Sequence, residues 1–163
     1  MTPTTTPTTT PTTPGSGFSA DASPLDVVDG LCDRLSRRAL RGPEVVALLG
    51  QQVQHLDTTY RASSRVRALG RVLVGVERED GHVSSVQLPL RTPGALSFSA
   101  LKARYGAYTE PPVLNWDAPL KAIFSPKLPG DRPFTCQVRA HVDGDEVEEG
   151  PVVALDVLVS PRG

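Results

Sequence analysis

At 163 residues, with a formal net charge of −1 and 39% hydrophobic residues, the sequence is sized for one domain around a single core. The near-neutral charge argues against a general nucleic-acid binder, which needs a net basic field. The longest uninterrupted apolar run, Val45 to Leu49, is far short of the roughly 20 residues that a membrane-spanning helix takes.

Arginine outnumbers lysine 14 to 3 and Asn115 is the only asparagine, a bias expected of a G+C-rich, bacterial coding sequence. The first basic residue is Arg34 and no apolar h-region precedes it, so no targeting signal is read and the expected location is the cytoplasm.

The chain opens on MTPTTTPTTTPTTP, nine threonines and four prolines in fourteen residues. Proline at that spacing blocks helix, and nothing apolar is present to bury, so residues 1–20 are expected to form a disordered tail with polyproline-II character. Phe18 is the first residue able to touch a core. Residues 21–163 are then expected to make one α+β domain.

Ser23-Pro24 starts a helix, with serine as cap and proline in the first turn. Leu25, Val28, Leu31 with Cys32, Leu35 and Ala39 fall on one stripe, while Arg34, Arg37, Arg38 and Arg41 crowd its second half. A short helix follows over Pro43–Leu49, and Gly50 is expected as its left-handed cap. Val53 to Tyr60 reads as a strand of poor pattern.

Arg71 to Glu77 is a clearer strand, with Val72, Val74 and Val76 on one face. Asp80-Gly81 supplies turn chemistry, and the return strand runs through Val86, Leu88 and Leu90. Pro89 cannot donate to a ladder and marks an edge or strand terminus. Phe98, Leu101 and Tyr105 define a third helix closed by Gly106.

Glu110 to Asp117 is irregular because Pro111-Pro112 excludes helix and regular sheet. Leu120 to Phe124 is a short strand. In the next, Phe134, Cys136, Val138, Ala140 and Val142 face one way and Thr135, Gln137, Arg139 and His141 the other, the pattern of an antiparallel strand with one wet face. An acidic loop, Asp143 to Glu149, leads to the last strand, Val152 to Val159.

Cys32 and Cys136 stand far apart in sequence. Core-like surroundings and a reducing compartment favour two buried, inert thiols over a disulfide. Neither a CxxC nor a zinc-spaced Cys/His cluster is present, and no cofactor is expected. The acidic loop lacks the ligand ladder of a calcium site and reads as a solvated loop. From Asp33 to Arg71, eight arginines meet only Asp33, Glu44 and Asp57, a basic stretch that either contacts an acidic partner or packs against the acidic loop.

Candidate site residues fall in two groups. Trp116, the only tryptophan, lies in the irregular segment with Tyr105 and Tyr108 nearby, as a lid or an interface anchor. With Gln137, Arg139 and His141 on the wet strand face it makes a candidate binding surface. His55, Asp57 and Tyr60 form the alternative, polar groups lining a closed pocket. His82, after Asp80-Gly81, reads as an exposed hairpin residue.

Two segments share an order of events. Residues 43–91 and 97–160 each give a short helix with a terminal glycine and then antiparallel strands, the pattern of two helix-plus-hairpin repeats. With Phe98-Ser-Ala-Leu-Lys-Ala-Arg-Tyr-Gly106 followed by strands, the chain resembles the small outer-membrane lipoprotein (BamE/SmpA-OmlA) and β-lactamase-inhibitory-protein group. It departs from that group in lacking a lipoprotein signal and two cysteines per unit. The resemblance implies a binding surface on the sheet and no catalysis. A second comparable architecture is the helix-plus-curved-sheet cone of the nuclear-transport-factor-like group, which hosts enzymes and binders alike.

The expected function is therefore a non-catalytic protein-binding module of inhibitor or immunity type, with another protein as partner and nucleic acid disfavoured. A small ligand binder or enzyme with a cone-shaped pocket, or an assembly protein tethered by its tail, are the alternatives.

Overall fold

The structure is a computed structural model that describes residues 17–162. Most of the expected tail, residues 1–16, lies outside that range. Three helices and eight strands make an α+β fold: α1 (Pro24–Arg37), α2 (Gly42–Leu49), β1 (Gly50–Leu56), β2 (Thr59–Ser64), β3 (Val72–Val76), β4 (Val83–Pro89), α3 (Phe98–Tyr105), β5 (Tyr108–Thr109), β6 (Leu120–Phe124), β7 (Phe134–Val142) and β8 (Val152–Pro161).

All eight strands form one sheet in the order β1-β2-β3-β4-β8-β7-β6-β5, each pair antiparallel. That order is a palindrome of two units. In each, a helix of eight residues leads into four strands laid side by side, and the last strands, β4 and β8, meet at the centre. The helix-plus-hairpin repeat is thus a helix-plus-four-strand repeat.

Local chemistry sets the helix ends. Ser23 Oγ accepts from the Asp26 amide at 3.1 Å, and Ser97 Oγ from that of Ala100 at 3.1 Å, each satisfying a donor the helix leaves open. Ala39 falls beyond the end of α1 and is exposed, whereas Val27 and Ser36 join the buried stripe. Gly50 is not a left-handed cap: its φ is 169°, ordinary extended backbone. Glycine is needed there because a Cβ would collide with the Ser63 carbonyl on β2. Gly106 does adopt a positive φ, 82°.

All three helices cover one face of the sheet. Val28, Leu31 and Leu35 of α1, Val45 and Leu49 of α2, and Phe98 and Leu101 of α3 bury against Val74, Val86, Leu88, Phe124, Val138, Leu155 and Val157. Phe18 is half-buried against this core, its amide bonded to the Leu48 carbonyl at 2.9 Å, so residues 17–20 of the expected tail border the packed domain.

Two expectations change in tertiary context. Val53 to Tyr60 is a hairpin, β1 and β2 joined at Asp57-Thr58 with Asp57 at φ 52°. Six of the seven β1 residues are exposed, so burial imposes no alternation there to read. Cys32 and Cys136 are not free thiols but a disulfide, Cα atoms 5.6 Å apart, tying α1 to β7. Both cysteines lie on apolar faces, and those two faces are packed against each other.

The connections are also pinned. Arg132, 8% exposed, donates from Nη1 to Asp33 Oδ1, the Asp33 carbonyl and Ser36 Oγ at 2.9, 3.0 and 2.9 Å, holding the β6–β7 loop on the end of α1. The acidic loop is more than solvated: Val147 is buried, and Glu148 bridges Lys102 and Tyr108. Much of the basic stretch is neutralised locally, by Arg37–Asp33, Arg38–Glu44 and Arg67–Asp21 pairs.

Candidate functional site

Strand register assigns every side chain to a face. Cys136, Val138 and Ala140 lie opposite Val159, Val157 and Leu155 on the helix side, so Thr135, Gln137, Arg139 and His141 fall on the other side with Ser160, Leu158, Asp156 and Ala154. Gln87 of β4 and Lys121 and Ile123 of β6 continue that second face. Among the described residues no helix packs on it, and it is the open face of the sheet.

Its centre is a charged cluster. Asp156 is only 2% exposed, yet it lies on the open face among Arg139, His141 and Gln87. Its Oδ2 accepts from Arg139 Nε at 2.9 Å, stands 2.8 Å from Arg139 Nη2 in the same ion pair, and lies 2.6 Å from His141 Nε2. Burial would raise this carboxyl, but the hydrogen bonds and charges of His141 and Arg139 outweigh it and hold it below its ordinary value. The cluster fixes the long Arg139 side chain in one place.

Around it runs a shallow groove in two lobes. One, ≈ 340 Å³, is walled by Arg71, Leu73, Pro89, Pro119 and His141. The other, ≈ 310 Å³, lies between Lys121 and Ile123 and the loop 111–119. Arg139 and Pro119 border both. The loop carries Leu114 and Trp116 outward, 94% and 85% exposed.

The structure therefore gathers Arg139, His141 and Gln137 on one strand face, with the loop of Trp116 at its rim. Tyr105 and Tyr108 do not join them. Both turn to the helix side and pack on Phe124, with Tyr108 edge-on to Phe98 at 5.0 Å. Tyr105 donates to Asp29 at 2.7 Å; burial, then that bond, push its phenol well above the usual range. The bond from Tyr108 to Glu148 pushes its phenol up to about 12. Lys102 and that same bond hold Glu148 below the ordinary carboxylate value.

His55, Asp57 and Tyr60 do come together at the β1–β2 hairpin, but not around a closed pocket: Tyr60 is half-buried against the core beside Gly42 of α2, and His55 and Asp57 lie on the outside. His55 stacks on Tyr60 with ring centroids 3.9 Å apart, and its Nε2 meets the Asp57 carbonyl at 3.0 Å. Asp57 takes a bidentate pair from Arg78 at 3.0 and 2.7 Å. His55 and Asp57 are exposed. His82 is half-buried, paired with Asp80 and 6.2 Å from the Phe134 ring.

Asp156 is the residue that sequence reasoning missed. Its signal was a lone carboxylate inside the apolar run Val152 to Val159. The remaining positions of that run are apolar on both faces of the strand, so the sequence shows no alternation that would assign its face. Chemically the cluster is an ion-pair network: the residues directly opposite His141 are Lys121 and Ala154, neither a hydroxyl nor a thiol.

No protein-family model, curated protein or solved structure matches this chain.

Proposed function

We propose that this is a non-catalytic bacterial module that binds another protein, as inhibitor or immunity-type partner, through the open face of its sheet. One observation carries the reading: the loop at the rim of that face presents Leu114 and Trp116 almost fully to solvent. Exposed large apolar groups beside a rigid polar surface are the anatomy of an interface anchor. Arg139, fixed by Asp156, adds a preorganised cation, and its charge is already compensated.

The reading carries forward the expectation, drawn from the resemblance to the lipoprotein and β-lactamase-inhibitory-protein group, that the sheet is the binding surface. Fold resemblance alone does not assign a partner. The disulfide supports an oxidising compartment for this domain over the cytoplasm expected from its sequence.

A second reading rests on the two-lobed groove. Its volume and mixed walls suit a small amphiphile in place of a protein side chain.

The test is site-specific cross-linking in the host. A photoreactive benzoylphenylalanine at Trp116 or Gln137 is expected to trap one protein species, and the same group at Glu44, beyond the opposite face, to trap none. Equal labelling at all three positions, or none at any, overturns the reading. A small-molecule adduct at Gln137 alone moves the assignment to the ligand reading.

A further inference from the structure

The eight strands contain three Arg or Lys residues, Arg61, Lys121 and Arg139, and one Asp or Glu, Asp156. Register carries all four to the same side of the sheet. Arg61 of β2 lies opposite Leu73, Leu73 opposite Gln87, Gln87 opposite Asp156, and Asp156 opposite Arg139. Lys121 lies opposite His141. Arg71, just ahead of β3, walls the same groove as Leu73 and His141. Cross-strand partners share a face, so the open face holds four cations, besides His141, against a single strand carboxylate.

That carboxylate is spent on Arg139 and His141. Among the described residues Arg61, Arg71 and Lys121 have no ion pair or hydrogen bond, whereas Arg37, Arg38, Lys102 and Arg104, on or beside the helices, are each matched by a carboxylate. The candidates within the chain do not meet them. Residues 1–16 contain no Asp or Glu, and the acidic loop is bonded through Glu148 to Lys102 and Tyr108 on the helix side. Glu110 and Asp117, the carboxylates beside the rim loop's exposed apolar groups, are not among the residues that wall the groove.

Arg61 and Lys121 stand five strand spacings apart, about 24 Å at about 4.8 Å each, too far for one small anion to bridge. Between them lies half-buried apolar surface, Leu73, Pro89 and Ile123. A phosphodiester backbone has no apolar side chains to cover it, and a net charge of −1 gives nucleic acid no long-range field to follow. A groove favours protruding side chains over a flat lipid surface. Resting on the reading of the open face as a protein-binding surface, we propose that the partner protein is acidic where it docks. It presents carboxylates to Arg61, Arg71 and Lys121, and apolar side chains to the groove between them.

The photoreactive group at Gln137, in the full chain within the host, is the probe. Its expected adduct is one protein, identified by mass spectrometry. Arg71→Glu with Lys121→Glu is expected to cut the yield by roughly tenfold or more, and Lys127→Glu, beside Tyr105 on the helix side, to leave it unchanged. Arg61→Glu with Arg71→Glu is the second reversal, used if the first alters the circular-dichroism spectrum. Changing the captured protein's carboxylates to lysine at the mapped cross-link restores capture by the reversed chain. Nothing trapped at Gln137 removes the protein-binding reading and this proposal with it. A protein trapped equally well after charge reversal leaves that reading standing and overturns this proposal alone. A reversal-sensitive adduct that nuclease digests, or flotation with phosphatidylglycerol vesicles that the reversal abolishes, overturns it in favour of nucleic acid or lipid.

Discussion

His141 Nε2 lies 2.6 Å from Asp156 Oδ2, and that aspartate is buried on the sheet face opposite the three helices. A carboxylate this dry keeps its charge only because Arg139 and His141 converge on it, and they in turn are held rigid by it. Asp156→Asn keeps the shape and removes the charge. The expected loss is about 1–3 kcal/mol in urea unfolding, below the usual figure for a severed buried pair because His141 and Arg139 are partly exposed.

The same carboxyl sets a pH dependence. Its folded pKa lies below the ordinary 3.8, so its stabilisation is complete above that value and is lost as pH falls through the lower, folded one. Between pH 7 and about pH 2 the wild type is expected to lose more stability than Asp156→Asn. Parallel curves for the two proteins in pH-dependent urea melts would show that Asp156 is not held down.

The Cys32–Cys136 bond closes a loop with a sequence separation of 104. Cross-links of that span restrict the unfolded chain strongly, and replacing both cysteines by alanine is expected to cost about 2–5 kcal/mol. The cysteines are 1% and 5% exposed, so mild reductant should leave the native bond intact and cleave it only as the chain unfolds. Thiol labelling along a denaturant series reads both effects.

Arg132 is a clamp whose donors are spent on Asp33, Ser36 and the Pro129 carbonyl. Arg132→Met keeps the stem and strands those acceptors, for an expected cost of about 1–3 kcal/mol. Limited proteolysis should then cut first between 125 and 133. A thermal melt within about 1 °C of wild type would contradict the clamp, since even 1 kcal/mol moves a domain of this size by at least about 2 °C.

Two glycines that close helices separate steric from torsional demand. Gly106→Ala meets open space but keeps a φ of 82°, costing about 1 kcal/mol. Gly50→Ala has an unstrained φ yet drives a methyl into Ser63, and is expected to be the more damaging, at about 1–3 kcal/mol. Urea unfolding of the two variants side by side ranks them.

Local chemistry made much of this fold legible. Ser23-Pro24 and Ser97 announce helix starts because a cap is satisfied within three residues. The alternation in Phe134–Val142 announces β7 because one face is dry and the other wet. The two-unit order was readable too, since each short helix ending in glycine is followed by period-two segments.

What failed to read failed for want of a partner. β1 has almost no buried face, so its sequence carries no alternation, and only pairing with Ala62 and its neighbours reveals a strand. Whether Cys32 and Cys136 bond depends on α1 lying on β7, which no local signal reports.

The wet face of β7, with Gln137, Arg139 and His141, was determined by the sequence itself, because residues two apart share a face in any strand. That Asp156 completes it, that Trp116 stands at its rim while Tyr105 and Tyr108 turn to the other side, and that His55 and Asp57 lie outside were decided only by tertiary structure. Those relations depend on which strand lies beside which, and in what register, and the pairing of β4 with β8 joins segments from the two separate units.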